Sequence, residues 1–457
     1  MRKSFDTNGG ASPLIVTWEG ARASTPHRGS ATMHKHLLAL SMGVATLAIS
    51  TSAYARDSSS YTEQGGNSNE VTVTQTTGSN NTVGKGNGTS ATVYFRQENG
   101  AGSGSNKLTI EQKGSYNTFG SNAKGRGQSY QSGTANNATI EQSGFKSNVD
   151  LQQRGSNNGS FGSNVKQSAS YSDVNVVENG NQNGFYVAQK GGSFFGGNAI
   201  AITQNGDNNF ARTSQDGTSL KAKFEQTGYN NNVFSGNDYG TGQTGTGHIL
   251  DVKQNNNVSY LSGSVLYNTQ SGLNQSATVD QRGVQNSVTN TQSGFENSLI
   301  ATQNGGNSYG GFNNSITSTQ KGLGFNSAEL NQFGDNNVIT STQDGLLLKV
   351  DALQNGASNK LTNNQSGTRN EMVSRQYGTG NTISNTQSDG GLFSFNKVNY
   401  YQNGTGNAAT GVQSDTSNQL SSIQYGNSNV ASITQATFNN SSLVSQNGTG
   451  NVATIKQ

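Results

Sequence analysis

Glutamine recurs in this chain at a fixed interval of eleven residues. Near its end an asparagine also stands six residues before each of these glutamines. The pairs are Asn396 and Gln402, Asn407 and Gln413, Asn418 and Gln424, Asn429 and Gln435, Asn440 and Gln446, and Asn451 and Gln457. Such a register indicates stacked repeats, because self-similarity at one period is typical of repeat architectures. It argues against a disordered Asn/Gln-rich tract, which composition alone would allow.

The same spacing continues upstream, interrupted by short insertions. Gln75 and Gln97, twenty-two residues apart, are interpreted as members of one register. Further repeat positions are Asn198, Gln204, Gln215, Gln226, Gln332, Gln343, Gln354, Asn359, Gln365, Asn370 and Gln376. Glycine often follows two residues after the glutamine, at Gly206, Gly217, Gly228, Gly334, Gly345, Gly356, Gly367, Gly378, Gly404, Gly426 and Gly448. We count roughly thirty units.

The residues between asparagine and glutamine alternate in character. In the unit 429–435 the odd positions are Asn, Ala, Ile and Gln, whereas even positions of the units carry most of the charged residues. This period of two predicts a strand with one buried face, because a helical period of 3.6 would mix the two sets. Glu178 is the one charge at an interior position. We expect Ile433 to face a core, and Ser432 and Thr434 to face solvent.

Strand, glycine turn and strand together predict an all-β fold. Two units make a rung of about 22 residues, and rungs stacked at about 4.8 Å give a parallel β-solenoid of roughly 15 to 16 rungs. Identical amides at this spacing can hydrogen-bond along the axis as ladders. A buried amide without a partner would cost about 1–3 kcal/mol. We therefore predict that the repeated asparagines and glutamines form interior ladders and that the glycines form turns with positive φ.

The N-terminal region has the features of a secretion signal. Basic residues after Met33 precede an apolar stretch and the small-residue pattern Ala53-Tyr54-Ala55, as in secretory signal peptides. The apolar stretch is too short for a membrane span, so we expect none in the mature chain. The predicted organisation is an upstream extension over 1–32 that precedes the true start, a signal peptide over 33–55, a short export segment over 56–68 and a repeat solenoid over 69–457.

Composition excludes several classes of function. The chain contains no cysteine, which excludes disulfides and thiolate metal sites. Removal of residues 1–55 removes both prolines and leaves equal numbers of acidic and basic residues. A chain without proline can donate every backbone N–H to a sheet. Without a basic excess, we expect no binding of nucleic acid.

The repeat pattern Asn/Ser-x5-Gln-x-Gly-x2-Asn-x5-Gln resembles the curlin repeat of curli subunits. Residues 198–215 and 359–376 are two examples, and the resemblance extends over 69–457. It implies a secreted structural subunit of a Gram-negative bacterium, exported by the Sec route and a dedicated outer-membrane pore. It also implies polymerisation at the cell surface into functional amyloid, for biofilm matrix and adhesion. Other copies of the chain and a nucleator subunit are the implied partners.

No arrangement of residues indicates an enzyme. His248 would be the base of a Ser-His-Asp triad, but it occupies a position that is asparagine in other units. Glu178 occupies a glutamine position, where a protonated glutamate is nearly isosteric with glutamine; a functional carboxyl is the alternative. Four aspartates lie beside turns without the dense Gly-Asp runs of calcium-binding repeats: Asp207, Asp216, Asp335 and Asp344. We expect no catalytic residue, metal or cofactor.

Two classes of function remain open. The first is the self-assembling fibre subunit, which is favoured because a solenoid has an open strand edge at each end. The second is a monomeric extracellular β-solenoid that binds ice, a polysaccharide or a surface through one face. Outward threonine pairs favour the second class, although they do not persist in adjacent units of the chain. These pairs are Thr289 and Thr291, Thr317 and Thr319, and Thr340 and Thr342.

Overall fold

The structure, a computed structural model, confirms the predicted fold class. It describes residues 14–17, 35–39, 46–51, 58–65, 68–84, 95–99, 104–120, 129–160, 162–193, 196–235, 242–258, 262–305, 311–388 and 395–457. These residues are all-β, without helix, and their stacked parallel strands form a β-solenoid of about 13 turns, about 23 residues apart. The chain divides into two compact units, Met1–Gln182 and Asn183–Gln457.

Unit 1, Met1–Gln182, contains fourteen described strands. They are β1 (Leu14–Thr17), β2 (Lys35–Ala39), β3 (Thr46–Thr51), β4 (Ser59–Gly65), β5 (Glu70–Gln75), β6 (Thr82–Val83), β7 (Phe95–Glu98), β8 (Lys107–Gln112), β9 (Thr118–Phe119), β10 (Tyr130–Thr134), β11 (Asn137–Gln142), β12 (Asn148–Ser156), β13 (Asn164–Gln167) and β14 (Asp173–Asn179).

The strands of unit 1 form two parallel sheets. Sheet 1a contains β2, β4, β7, β10, β12 and β14, with the short β6 and β9 extending its rungs. Sheet 1b contains β3, β5, β8, β11 and β13. The one antiparallel pair of named strands described in this unit joins β1 to β2. Successive full-length strands alternate between the sheets, which is the expected path of a solenoid.

Unit 2, Asn183–Gln457, contains twenty-five described strands. They are β15 (Gly184–Gly191), β16 (Ala199–Asp207), β17 (Phe210–Thr218), β18 (Lys221–Tyr229), β19 (Asn232–Ser235), β20 (Gln243–Thr246), β21 (Ile249–Asn256), β22 (Val265–Leu273), β23 (Ser276–Val284), β24 (Ser287–Phe295), β25 (Ser298–Asn304), β26 (Gly311–Phe312), β27 (Ser315–Gly324), β28 (Ser327–Asp335), β29 (Val338–Leu346), β30 (Lys349–Ala357), β31 (Lys360–Thr368), β32 (Glu371–Thr379), β33 (Thr382–Ser388), β34 (Lys397–Thr405), β35 (Ala408–Gln413), β36 (Gln419–Asn427), β37 (Val430–Gln435), β38 (Ser441–Thr449) and β39 (Val452–Lys456).

Unit 2 also consists of two parallel sheets, and the strands within each sheet pair in register. Sheet 2a contains β16, β18, β21, β23, β25, β28, β30, β32, β34, β36 and β38. Sheet 2b contains β15, β17, β19 with β20, β22, β24, β27, β29, β31, β33, β35, β37 and β39. All of these pairings are parallel, so each residue lies above its equivalent in the next rung.

The core lies between the two sheets of each unit and follows the predicted alternation. In β37 every second residue is buried, and Ile433 is 1% exposed while Ser432 and Thr434 are partly exposed. The predicted parity of this strand is therefore confirmed. Asp150 is an exception, because it occupies an even position of β12 yet is buried, where its carboxylate accepts a hydrogen bond from Asn148.

Some turns of the solenoid are longer than the predicted 22 residues. Stacked glutamines are 22 residues apart from Gln354 to Gln376, but 29 apart from Gln303 to Gln332. Insertions between units account for this difference, because they lengthen individual turns without adding rungs. Phe194, Phe195 and Phe393, which belong to such insertions, lie outside the described residues.

The predicted boundaries near the N-terminus stay predictions. β2 and β3 lie within the predicted signal peptide, and in the full chain they pair in parallel with β4 and β5. The predicted cleavage motif Ala53-Tyr54-Ala55 and most of 1–34 lie outside the described residues. β4 itself, within the predicted export segment 56–68, pairs in register with β7.

Candidate functional site

The interior glutamines of unit 2 form two continuous ladders. Each Nε2 donates to the Oε1 of the glutamine in the next rung, at 2.7–3.0 Å in sheet 2a and 2.7–3.2 Å in sheet 2b. The sheet 2a ladder is Gln204, Gln226, Gln254, Gln281, Gln303, Gln332, Gln354, Gln376, Gln402, Gln424 and Gln446. The sheet 2b ladder is Gln189, Gln215, Gln243, Gln270, Gln292, Gln320, Gln343, Gln365, Gln387, Gln413, Gln435 and Gln457.

Ladder glutamines also bond the backbone of the facing sheet, as Gln365 shows. Gln365 Nε2 donates to Gln387 Oε1 at 2.8 Å and to the carbonyl oxygen of Lys349 at 3.1 Å. Its Oε1 accepts from Gln343 at 3.2 Å. The amide is therefore satisfied without water although only 2% of the residue is exposed, and it joins its own strand to three others.

Unit 1 carries two shorter ladders. In sheet 1a they connect Gln64, Gln97, Gln131, Gln153 and Glu178, and in sheet 1b Gln75, Gln112, Gln142 and Gln167. The interpretation of Gln75 and Gln97 as one register is wrong, because they lie in different sheets. An insertion between them shifts the count, so that Gln75 contacts Gln112 and Gln97 contacts Gln64.

Some ladder glutamines were missed by the sequence reasoning. Gln64, Gln131 and Gln254 belong to ladders but were not predicted. The eleven-residue interval identifies two of them, since Gln64 stands eleven residues before Gln75, and Gln131 stands eleven residues before Gln142. Counting the interval separately on each side of every insertion would have found them.

The predicted asparagines form a second kind of ladder. Asn359 Oδ1 accepts the backbone N–H of Asn381 in the next rung at 3.1 Å, and Asn359 Nδ2 donates to the carbonyl of Gly378 at 3.0 Å. Each asparagine therefore joins a strand start to the turn of the following rung. Equivalent Oδ1 contacts are made by Asn198, Asn370, Asn396, Asn407, Asn418 and Asn429, and Asn440 and Asn451 receive them.

The predicted turn glycines stack upon one another. Ten of the eleven have positive φ, and Gly345 is the exception. A Cβ on Gly356 would overlap the carbonyl oxygen of Gly378, and one on Gly345 would overlap that of Gly367. Close approach of successive turns therefore requires glycine even where φ alone does not.

His248 takes the part of an asparagine. Its Nδ1 accepts the backbone N–H of Gln275 at 3.0 Å, as Oδ1 of asparagine does, and its Nε2 lies 2.9 Å from the carbonyl oxygen of Thr244. These contacts require the neutral imidazole with its proton on Nε2. Burial lowers the pKa of His248, which agrees with a neutral structural residue rather than a catalytic base.

Glu178 ends the described ladder of sheet 1a and is fully buried. Its Oε2 accepts from Gln153 Nε2 at 2.6 Å, while its Oε1 has no hydrogen-bond partner among the described residues. Burial raises the pKa of this carboxyl to about 8, although the hydrogen bond from Gln153 acts in the opposite direction. The neutral acid, which has a hydroxyl to donate, is therefore the favoured form at neutral pH.

The outer face of sheet 2a carries ion pairs between neighbouring rungs. On sheet 2a, Glu371 lies between Lys349 and Lys397 at 3.7 and 3.3 Å, and Arg375 pairs with Asp351 at 2.6 Å. Opposite charges thus alternate from rung to rung. These side chains are 28–60% exposed, so each pair contributes little stability, but like charges would oppose a shifted register.

On sheet 2b, outward threonines form a patch, here called the hydroxyl face, which Lys321 and Asp344 border two residues beyond Thr319 and Thr342. Its residues are Thr289, Thr291, Thr317, Thr319, Thr340 and Thr342, which occupy matching positions on β24, β27 and β29. The pairs are contiguous in the sheet although they are not in adjacent units of the chain, because adjacent units lie in opposite sheets. The rows continue through Thr269 on one side and through Thr362 and Ser384 on the other.

The described residues contain no group of three or more His, Asp or Glu placed to hold a metal ion. The four turn aspartates accordingly form no such group. No described helix has both the length and the apolar character to cross a membrane.

Comparison with known proteins supports the resemblance at the C-terminal repeats. Residues 426–457 match the family model of the curlin associated repeat. This range contains β37, β38 and β39, and with them the glutamine–glutamine contact of Gln435 with Gln457. The match confirms the suspected curlin repeat. No curated protein matches the chain.

Proposed function

We propose that this protein is a secreted structural subunit that assembles with its own copies into curli-like amyloid fibres. The equivalence of its rungs carries the proposal. Glutamine, asparagine and glycine contacts repeat at almost every junction between rungs in unit 2, as at Gln332, Gln354 and Gln376. A rung of another copy would offer the same donors and acceptors as the next rung of the same chain. Stacking between molecules therefore needs no new kind of contact.

The proposed setting follows from the curlin repeat. The subunit would leave a Gram-negative cell through the Sec route, with residues 33–55 as its signal, and then through a curli-type outer-membrane pore. A nucleator subunit would start the fibre at the cell surface. There the fibre would serve as matrix and adhesive of a biofilm, without enzymatic activity.

Electron microscopy and fibre diffraction of the purified protein test this function. We expect unbranched fibres with a meridional reflection at about 4.7–4.8 Å, because the rungs would stack along the fibre axis. Hydrogen exchange in β28, β30 and β32 should be equally slow before and after assembly, since each chain keeps its own rungs. Protein that stays monomeric during long incubation at high concentration would rule out the fibre function.

The hydroxyl face favours a second candidate function, binding to ice. Its threonines repeat at about 4.8 Å between strands and about 6.6 Å between alternate residues of a strand. Each presents one methyl and one hydroxyl in the restricted rotamers of a β-branched side chain. A regular array of this kind suits an ordered lattice of water molecules. Tyr267, an exposed aromatic residue, lies beside Thr289 at one edge of the array.

Inhibition of ice recrystallisation tests the second candidate. Thr319→Lys should abolish the inhibition, because a charged side chain would interrupt the array at its middle strand. Thr302→Lys is the matched control, since Thr302 also precedes a ladder glutamine but lies on sheet 2a. Equal activity in both variants, or an inactive parent protein, would exclude ice binding. If Thr319→Lys, but not Thr302→Lys, gave fibres that are separate from one another, the hydroxyl face would be a contact between copies and not an ice-binding surface.

A further inference from the structure

The ladder of sheet 1a contains one acid where every other described member is an amide. Glu178 follows Gln64, Gln97, Gln131 and Gln153, and the register of β12 and β14 places it directly above Gln153. A glutamine at this position would donate along the axis through its Nε2. A carboxylate has no proton to donate, whereas a protonated carboxyl has one.

The groups that approach Glu178 among the described residues are neutral: the amide of Gln153 and the hydroxyl of Ser163 favour the ionised form, but burial outweighs them. The residue is 0% exposed, and its Oε1 is buried without a partner among the described residues. Gln153 is uncharged, and Arg154, the next residue on β12, is on the exposed side of the strand. An ionised carboxyl buried without a cation is strongly unfavourable.

Two other buried carboxyls lie on the same pair of strands. Asp150 on β12 and Asp173 on β14 both accept hydrogen bonds from Asn148 Nδ2, at 3.0 and 3.1 Å. This group forms near the start of the two strands, whereas Glu178 lies near the end of β14. Asp150 and Asp173 are therefore controls for Glu178 in any measurement that depends on pH.

We propose that Glu178 is a proton-dependent switch in unit 1, which closes the rung formed by β12 and β14 when protonated and loosens it when ionised. The direction follows from linkage between protonation and folding. Burial raises the pKa of Glu178 from 4.5 to about 8, so the folded rung binds a proton that the unfolded chain releases. Its stabilising contribution is complete below 4.5 and is lost as the pH rises through 8.

Hydrogen exchange of the full chain at a series of pH values tests the switch. Protection factors, which correct for the intrinsic effect of pH on exchange, would be measured from below pH 4.5 to above pH 8. We expect protection in β12 and β14 to fall as the pH rises. Glu178→Gln should remove this fall, because it restores the amide found in the other rungs.

The converse substitution provides the matched control. Gln354 occupies the same kind of position in unit 2, between Gln332 and Gln376. Gln354→Glu should transfer the pH dependence to β28, β30 and β32 and leave β12 and β14 as in the parent. This arm remains informative even if Glu178→Gln does not fold.

Three results would overturn the proposal. The first is protection of β12 and β14 in the parent that does not change over the pH range. The second is a pH dependence that persists in Glu178→Gln and disappears in Asp150→Asn, which would assign it to the carboxyls around Asn148. The third is a Gln354→Glu variant whose unit 2 strands show no dependence on pH.

Discussion

Individual residues in this fold are selected by what lies above and below them in the stack. Gln365 contacts Gln343 and Gln387, and an amide of the same length is needed at all three positions. A shorter or apolar side chain would leave the neighbouring amides unpaired in the core, which costs about 1–3 kcal/mol for each group. This requirement explains why the polar positions recur more strictly than the apolar ones.

The turn glycines give a prediction at the same scale. Gly356 has φ 129° and would place a Cβ against the carbonyl of Gly378, whereas Gly380 has φ 67° and open space around its Cβ. We expect Gly380→Ala to lower the free energy of unfolding by about 1–2 kcal/mol, through backbone strain alone. Gly356→Ala should cost about 3 kcal/mol or more. Denaturant unfolding measures both, and equal losses would show that turn stacking does not require glycine.

His248 gives a prediction for acid conditions. Burial lowers the pKa of its imidazole, so the folded protein prefers the neutral form and is destabilised as the pH falls below the ordinary value of 6.5. Protonation removes the Nδ1 acceptor of the Gln275 N–H. Protection factors in β21 and β23, which correct for the intrinsic effect of pH on exchange, should therefore fall at acid pH in the parent and not in His248→Asn. An unchanged acid response in His248→Asn would contradict the asparagine-like role.

For each strand, the sequence predicts which side chains face the core and which face solvent. Alternation in 429–435 placed Ile433 inside and Thr434 outside because period two leaves no other assignment. The neighbours of each strand were harder to assign. The spacing predicts that Gln75 and Gln97 share a register, but the lengths of insertions, which have no repeat signal, decide which sheet a unit joins. For the same reason, the positions of the threonines along the chain do not predict that they form rows on sheet 2b.

The buried Asp150 shows a second limit of prediction at this scale. Its even position predicts exposure, but the side chain is 1% exposed and accepts a hydrogen bond from Asn148. Parity assigns a side chain to a face of its sheet, while burial also depends on what covers that face. The sequence of a single repeat unit determines the face, but not what covers it.

Strand parity yields a direct mutational test. Ile433→Lys would bury an ammonium group between Ala and Gln side chains, where neither water nor an anion compensates its charge. Ser432→Lys changes an outward position whose neighbours in the adjoining rungs, Thr410 and Thr454, are uncharged. We expect Ile433→Lys to abolish protection from hydrogen exchange in β35, β37 and β39, and Ser432→Lys to leave it near that of the parent. Similar losses in both variants would mean that the inward face is assigned incorrectly.

Within each unit, hydrogen bonds along the axis supply much of the stability that a hydrophobic core would otherwise supply. Only 29% of the residues are hydrophobic, and the buried set contains long rows of amides. A rung alone leaves its amides unpaired, so stability arises between rungs rather than within them. Such a structure behaves as a one-dimensional array in which each rung depends on its neighbours.

This one-dimensional behaviour predicts that damage stays local. Gln365→Leu removes the bonds to Gln343, to Gln387 and to the carbonyl of Lys349, which leaves groups unpaired at a cost of about 1–3 kcal/mol each. Hydrogen exchange should accelerate in β29, β31 and β33, where the ladder is broken, and remain unchanged in β16 and β18. Ser366→Leu, on the exposed side of the same strand, should alter neither region. A uniform loss of protection across unit 2 would show instead that the unit unfolds as one cooperative body, in which distant rungs support one another.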